Sequence, residues 1–455
     1  MNSTKNAVYL FCFFFQCLSA QQLSNNYQFT SIQQNVSQRA VSAIAQDQKG
    51  YLWLGTNGDG LNRYSGLNFK NYSSNWNDST TLDSSQIYSV FVDSFGQVWV
   101  GTEEGLNLYQ RELDQFERVP LTASKTKTPV HAIQETENHQ LIVGTHEKGL
   151  FTVDLKTHKA IQIKCEARLP SLLINTLLKT PRGSLLIGTN KGLLTYKTGE
   201  TTFGYASFET LQGQQTIYNA IESMYVFASK IWLGTTTEGL LEIGSSPTNH
   251  YRIKNHKLTT KRILAMTHTQ EDLLLCGTEN DGLFAVNASG EVQQNYRYEP
   301  SDKYGLQSNS IWSLYTDYQH RIWVGYYNNG LAVVDNKLSK FNKIESIPNQ
   351  INSLNAASVT GIVKDAKNRY WITTIEGGVD VYDPKTQKFT HLNDPKNNIA
   401  KGLQSFDIQT VFKDSKENIW LGTWNSGIYF LKKNSTTFQH WHQDNSGLSA
   451  NSVLS

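Results

Sequence analysis

Apolar residues in this chain fall in short runs with a period of two or none, each closed by a cluster of Asp, Asn, Ser or Gly; no helical period is present. Val41 to Gln46 alternates Val41, Ala43 and Ala45 against Ser42, Ile44 and Gln46, which predicts an inner strand. Asp47-Gln48-Lys49-Gly50 then supplies a turn. Tyr51 to Thr56 is apolar through its centre, as expected of a strand covered on both faces. Asn57-Gly58-Asp59-Gly60 leads into a third strand, Leu61 to Tyr64, and Ser65-Gly66 into a fourth, Asn68 to Tyr72.

The same four-strand phrase recurs. Trp53-Leu54-Gly55-Thr56 with Gly60-Leu61 returns at Trp99, Ile142, Leu186, Trp232, Leu275, Trp323, Trp371 and Trp420, each copy followed by a Gly-Leu, Gly-Gly or Gly-Ile pair. A period of roughly 43 to 49 residues is that of one four-stranded propeller blade, and is too long for leucine-rich or ankyrin units. The expected fold is therefore all-β: antiparallel blades closed radially. The tryptophans hold one position of the repeat and are read as blade-to-blade packing. The Gly of each Gly-Thr pair is read as permitting close backbone approach. In the first turn Asn368 and Asn418 replace Gly in the left-handed region.

Phase divides the chain. Tyr27 to Ile32 resembles an outer strand that arrives before its own blade, so the N-terminus is expected to complete the last blade of a ring. This gives a seven-bladed β-propeller over 27–337 and, over 338–455, the first blades of a second, truncated propeller opened by Leu338 to Ile344. Gly447 to Ser455 repeats Gly305 to Ile311, the approach to an inner strand, so the protein is expected to continue past Ser455. Residues 1–20, with Lys5, the apolar run Ala7 to Cys17 and Ala20 at the cut, read as a secretory signal peptide.

Charge and composition narrow the function. With 41 basic and 39 acidic residues, formal charge +2, there is no global attraction to nucleic acid or anionic membrane. Beyond the signal peptide only Cys165 and Cys276 remain, which is neither a disulfide framework nor a zinc motif, and Cys276 sits where other repeats place a buried aliphatic residue. Walker loops, nucleophile elbows and H-E-x-x-H sets are absent, so neither cofactor nor metal is expected.

Asp93, Gly96, Trp99, Gly101, Thr102, Gly105 and Leu106 spell a pattern that resembles the two-component-regulator propeller repeat, and the resemblance covers about 27 to 455. It implies the periplasmic sensor of a hybrid two-component histidine kinase or related membrane-bound diguanylate cyclase. Such proteins typically carry two seven-bladed propellers, an immunoglobulin-like domain, a membrane helix and an output module. The resemblance further implies an oligosaccharide or similar small ligand, a homodimer in the full-length protein, and membrane attachment through downstream segments.

In a propeller, the turn between the second and third strands shares a face with the loop from each outer strand to the next inner strand. Departures from the repeat on that face are the candidate ligand contacts: Trp76, His146, Tyr326, Tyr327, Asn328, Trp424 and Asn425. Aromatic rings beside amides can stack on a sugar face and hydrogen-bond its hydroxyls. Carboxylates on the same face (Asp59, Glu103, Glu104, Glu147, Glu238, Glu279, Asp281, Glu376) leave open a lyase or glycosidase, which needs two of them opposed across a bond. A protein-binding scaffold is the third reading. No catalytic residue is assigned.

Overall fold

The computed structural model describes residues 27–32, 40–123, 126–166, 169, 172–180, 184–210, 213–245, 251–300, 302–335, 343–348 and 350–454. The expected signal peptide and residues 338–342 of the expected opening strand lie outside the described residues. The chain divides into two units, 1–337 and 338–455. Among the described residues no helix is long and apolar enough to cross a membrane.

Unit 1 is built of four-stranded antiparallel sets. The first is Val41–Gln46, Leu52–Thr56, Leu61–Tyr64 and Phe69–Tyr72, paired in that order. Sets of the same order begin at Ile87, Val130, Ile174, Ile221 and Ile263. The last set, Ile311–Thr316, Ile322–Tyr326 and Leu331–Val334, takes its fourth strand from the other end of the chain: Thr30–Ile32 pairs antiparallel with it, Ser31 opposite Ala332. Each innermost strand packs on the next, and that of the last set packs on Val41–Gln46, so the contacts run in a closed cycle. Unit 2 holds two such sheets, starting at Val359 and Ile408.

The repeat's Asp explains why its turn and its Trp stay together. One Asp93 carboxylate oxygen accepts from the backbone amides of Phe95 and Gln97, both at 2.9 Å, and the other from the Trp99 indole at 2.8 Å. The carboxylate thus closes the turn and satisfies the one polar atom of a buried indole. Asp47, Asp317, Asp365 and Asp414 do the same for Trp53, Trp323, Trp371 and Trp420. In the fifth repeat, whose first turn is one residue shorter, Phe227 stands at the Asp position, and the Trp232 indole donates to its carbonyl instead, at 3.1 Å.

The glycines of the Gly-Thr pairs sit where the next sheet's inner strand leaves no room: a Cβ on Gly55 would lie 2.7 Å from Ile87 Cγ2, and one on Gly101 2.5 Å from the Val130 carbonyl oxygen. The threonine hydroxyls close the following loop, Thr56 Oγ1 donating to the Gly60 carbonyl at 2.7 Å. One expectation is corrected. In the ninth repeat's first turn it is Glu417, with φ 64°, that takes the left-handed conformation, not Asn418.

Two features depart from independent blades. Ala160–Cys165 and Thr202–Tyr205, the outer strands of the third and fourth sets, pair in parallel and join both into one eight-stranded sheet. A separate hairpin, Ser207–Thr210 with Gly213–Thr216, stands between the fourth outer strand and the fifth inner strand.

Candidate functional site

Every inner strand carries a bulge at its first step. Val41 pairs with Thr56 and Ala43 with Gly55, so Ser42 is the extra residue. The same shift recurs after Ile87, Val130, Ile174, Ile221, Ile263 and Ile311. A bulge re-aims one side chain out of the pleat. In a closed cycle of inner strands the seven re-aimed residues, Ser42, Tyr88, His131, Asn175, Glu222, Leu264 and Trp312, form a ring at one end of unit 1, all of them partly buried. Side chains at or beside the bulge also bind the carbonyl that the irregularity frees on the neighbouring strand. Ser42 Oγ donates to Ile87 O at 2.7 Å, Asn175 Nδ2 to Ile221 O at 2.8 Å, and Ser313 Oγ to Val41 O at 2.9 Å across the closure.

The ring has two aromatic stations and one ionic station. Tyr88 stacks on His131 with centroids 4.1 Å apart, and His131 meets His146 edge-on at 6.3 Å. Burial, and then the neighbouring His146, lower His131 to about 4, so its imidazole is neutral at pH 7. Burial, and then Glu103, raise the Tyr88 hydroxyl. The second aromatic station is Trp312 against Tyr327, centroids 4.6 Å apart. Between them Arg262 grips Glu222 through two bonds of 3.1 and 3.0 Å, and Thr236 Oγ1 donates to the same carboxylate at 2.9 Å. Such an arrangement stacks flat apolar faces and offers oriented donors beside them.

The structure brings some of the residues expected from sequence into this ring. His146 and Tyr327 belong to its two aromatic stations, and Asn328 is exposed beside Tyr327. Tyr326 is a correction: its side chain is fully buried in the core, where its hydroxyl accepts from the Gln307 amide, because it occupies the inward-facing Thr position of the repeat. Trp76 is 85% exposed on the loop that Arg118 holds through the carbonyls of Asp78, Thr81 and Leu82. Trp424 and Asn425 belong to unit 2 and are exposed there. Of the carboxylates, Glu103 pairs with Lys127, Glu279 lies 3.8 Å from Arg262, and Asp281 pairs with Arg297.

Tyr88, His131, Glu222, Arg262 and Trp312 were not legible as site residues from local pattern. One signal could have found four of them. The residue directly after the Val or Ile that opens each inner strand is Ser, Tyr, His, Asn, Glu, Leu, Trp, Thr and Gln in the nine repeats, whereas its predecessor is Val or Ile throughout. A packing position repeats its chemistry; this column does not.

The architecture defines a radially arranged all-β repeat protein with a built end. Its sequence matches the family described as two component regulator propeller at residues 35–58, 81–104 and 305–328. A histidine kinase, P4 of Formosa agariphila, is 42% identical over 78 residues, which are 17% of this chain and 6% of that protein. The extracellular domain of a candidate hybrid two component system from B. thetaiotaomicron superposes with a TM-score of 0.59 at 22% identity, over 93% of this chain and 62% of that one. A virginiamycin B lyase from Staphylococcus aureus superposes with a TM-score of 0.52 at 10% identity, over 67% of this chain and 97% of that one. At these identities the two structures share a fold and no more. The chain spans 53 to 62% of the extracellular domains of this kind that it matches.

Proposed function

We propose that unit 1 is a complete seven-bladed propeller, that unit 2 is the first blades of a second, and that together they form the periplasmic ligand-sensing region of a transmembrane signalling protein. The ligand is an oligosaccharide or similar small molecule bound at the bulge ring of unit 1. The observation that carries this reading is the ring itself: seven equivalent, structurally interchangeable positions that hold one aromatic pair, a Trp paired with Tyr327 of the adjoining turn, and a clamped carboxylate, where simple packing would repeat one residue type. Tyr88 with His131 and Trp312 with Tyr327 serve as stacking platforms; Arg262, oriented by Glu222, presents donors to hydroxyls. Binding is followed by rearrangement of a dimer across the membrane, a population shift set by the ligand's unequal affinity for two arrangements.

The test is calorimetry and tryptophan fluorescence of the 455-residue chain against linear neutral hexasaccharides of glucose, xylose and mannose, with Trp312→Ala and His131→Ala as site variants. Binding weakened about tenfold by either variant, ~1.4 kcal/mol, with the sugar recovered intact, supports the sensor. Cleavage of the sugar moves the protein to the enzyme reading. Binding that ignores both variants, or no binding in the panel, removes the ring as the ligand site.

A further inference from the structure

Repeats within one chain act as references for each other, and the cleft between the two sheets of unit 2 lacks the aromatic cover that three equivalent clefts of unit 1 carry. Where the first and second sets of unit 1 meet, the Tyr109 ring lies 4.7 Å from Trp53 and Arg111 reaches Asp47 at 2.8 Å. His158 lies edge-on to Trp99 at 5.7 Å where the second set meets the third, and Tyr64 to Trp323 at 5.9 Å where the last meets the first. An aromatic ring therefore covers the repeat's tryptophan in each of these clefts. In unit 2 the positions of Tyr109 and Arg111 are held by Leu431 and Lys433. Leucine supplies no ring, and Lys433 turns to Glu417 on its own sheet, while Asp365 is taken by Arg369 at 2.7 Å.

What remains is an open cleft of about 570 Å³ within unit 2, running from the Asp365 turn to the Leu431–Thr436 connection. This is enough for a molecule of one to two sugar rings. Its floor is apolar, from Ile399, Ile419 and Leu431. Its rim carries Lys367, Arg369, Lys432 and Lys433 against Asp365 and Glu417, and both carboxylates are already paired. Lys367 and Lys432 line the cleft with no carboxylate partner among the described residues. Two unneutralised ammonium groups over an apolar floor select an anion that also has a flat apolar face.

We propose that this cleft is a binding site for a small organic anion: a carboxylate or sulfate held by Lys367 and Lys432, with the body of the molecule lying on Ile399 and Leu431. The site is separate from the ring of unit 1 and does not depend on that reading.

The test uses the 455-residue chain and a matched fluorescent pair, 4-methylumbelliferyl glucuronide and the uncharged 4-methylumbelliferyl glucoside, followed by anisotropy and calorimetry, with inorganic sulfate as a third probe. The glucuronide is expected to bind at least tenfold tighter than the glucoside. Lys367→Glu with Lys432→Glu is expected to abolish that preference. Leu431→Tyr with Lys433→Arg, which reproduces the ring and cation of the cleft between the first two sets of unit 1, is expected to block binding while circular dichroism and melting stay unchanged. Equal binding of glucuronide and glucoside, sulfate competing as effectively as the glucuronide, or binding that survives the charge reversal would each overturn the proposal.

Discussion

At the residue scale, the first turn of each repeat shows how one backbone requirement meets different side chains. In seven of the repeats its fourth residue is left-handed: Gly50 at φ 85°, Gly96 at 78°, His139 at 54°, Asp272 at 56°, His320 at 63°, Asn368 at 63° and Glu417 at 64°. Gly adopts this conformation without steric cost, whereas a residue with a Cβ gives up ~1–2 kcal/mol. His320 is exposed, and its backbone amide donates to the Asp317 carbonyl at 2.9 Å, a bond that survives any substitution except proline. His320→Gly is accordingly expected to stabilise the chain by ~0.5–1 kcal/mol after the added freedom of the unfolded chain is subtracted. A urea midpoint that falls in this variant would contradict the assignment of strain.

At the element scale, the first sheet of unit 2 is tied at its outer strand, Lys388–His391, by a histidine that must donate from both nitrogens. His391 Nδ1 lies 2.6 Å from Asp380 Oδ1 and Nε2 2.8 Å from the Ile351 carbonyl oxygen, and neither partner has a proton to give when Asp380 is ionised. Burial by itself would lower His391; the Asp380 carboxylate and the Ile351 carbonyl outweigh it and raise the imidazole above its ordinary value. Burial also pushes the Asp380 carboxyl up, so the folded pair holds protons more firmly than the unfolded chain does. The stabilisation is complete below the unfolded histidine value, ~6.5, and is lost as pH rises through the folded one. Amide exchange around Ile351 is expected to speed up more than the chemical rate between pH 6 and pH 9. His391→Phe should remove that excess; an unchanged pH profile in the variant would show that another group is responsible.

At the scale of the whole molecule, the Asp–Trp brace recurs in both units and gives the protein an acid limit. Burial pushes Asp317 and Asp365 up, but the indole and backbone amide donors reverse this and hold both carboxyls below their ordinary range; Asp414 lies at about 2 for the same reason. Groups depressed on folding add stability that is present above the unfolded value, ~3.9, and lost as pH falls through the folded one. Stability is therefore expected to decline from about pH 4 toward pH 2, read as the urea midpoint at each pH, and Asp414→Asn should make the decline shallower. A midpoint flat across that range would refute the brace as an acid-sensitive element.

Much of this was legible without coordinates because it repeats. The strand order, the packing Trp, the close-approach Gly and the arrival of Tyr27 to Ile32 as an outer strand all follow from local patterns whose copies check one another. The candidate site was only partly legible: His146, Tyr327 and Asn328 break the repeat visibly, but Tyr326 breaks it too and is buried. What the sequence by itself determined is the period-two β pattern, the number of repeats and the residues each must bury, since these depend on neighbours a few positions away. Only the tertiary structure decided that a bulge turns Tyr88, His131, Glu222 and Trp312 to one end, that the third and fourth sets share a sheet, and that one cleft in unit 2 stays open. Each of those depends on which strand lies beside which, and contacts between residues some forty positions apart leave no period in the chain.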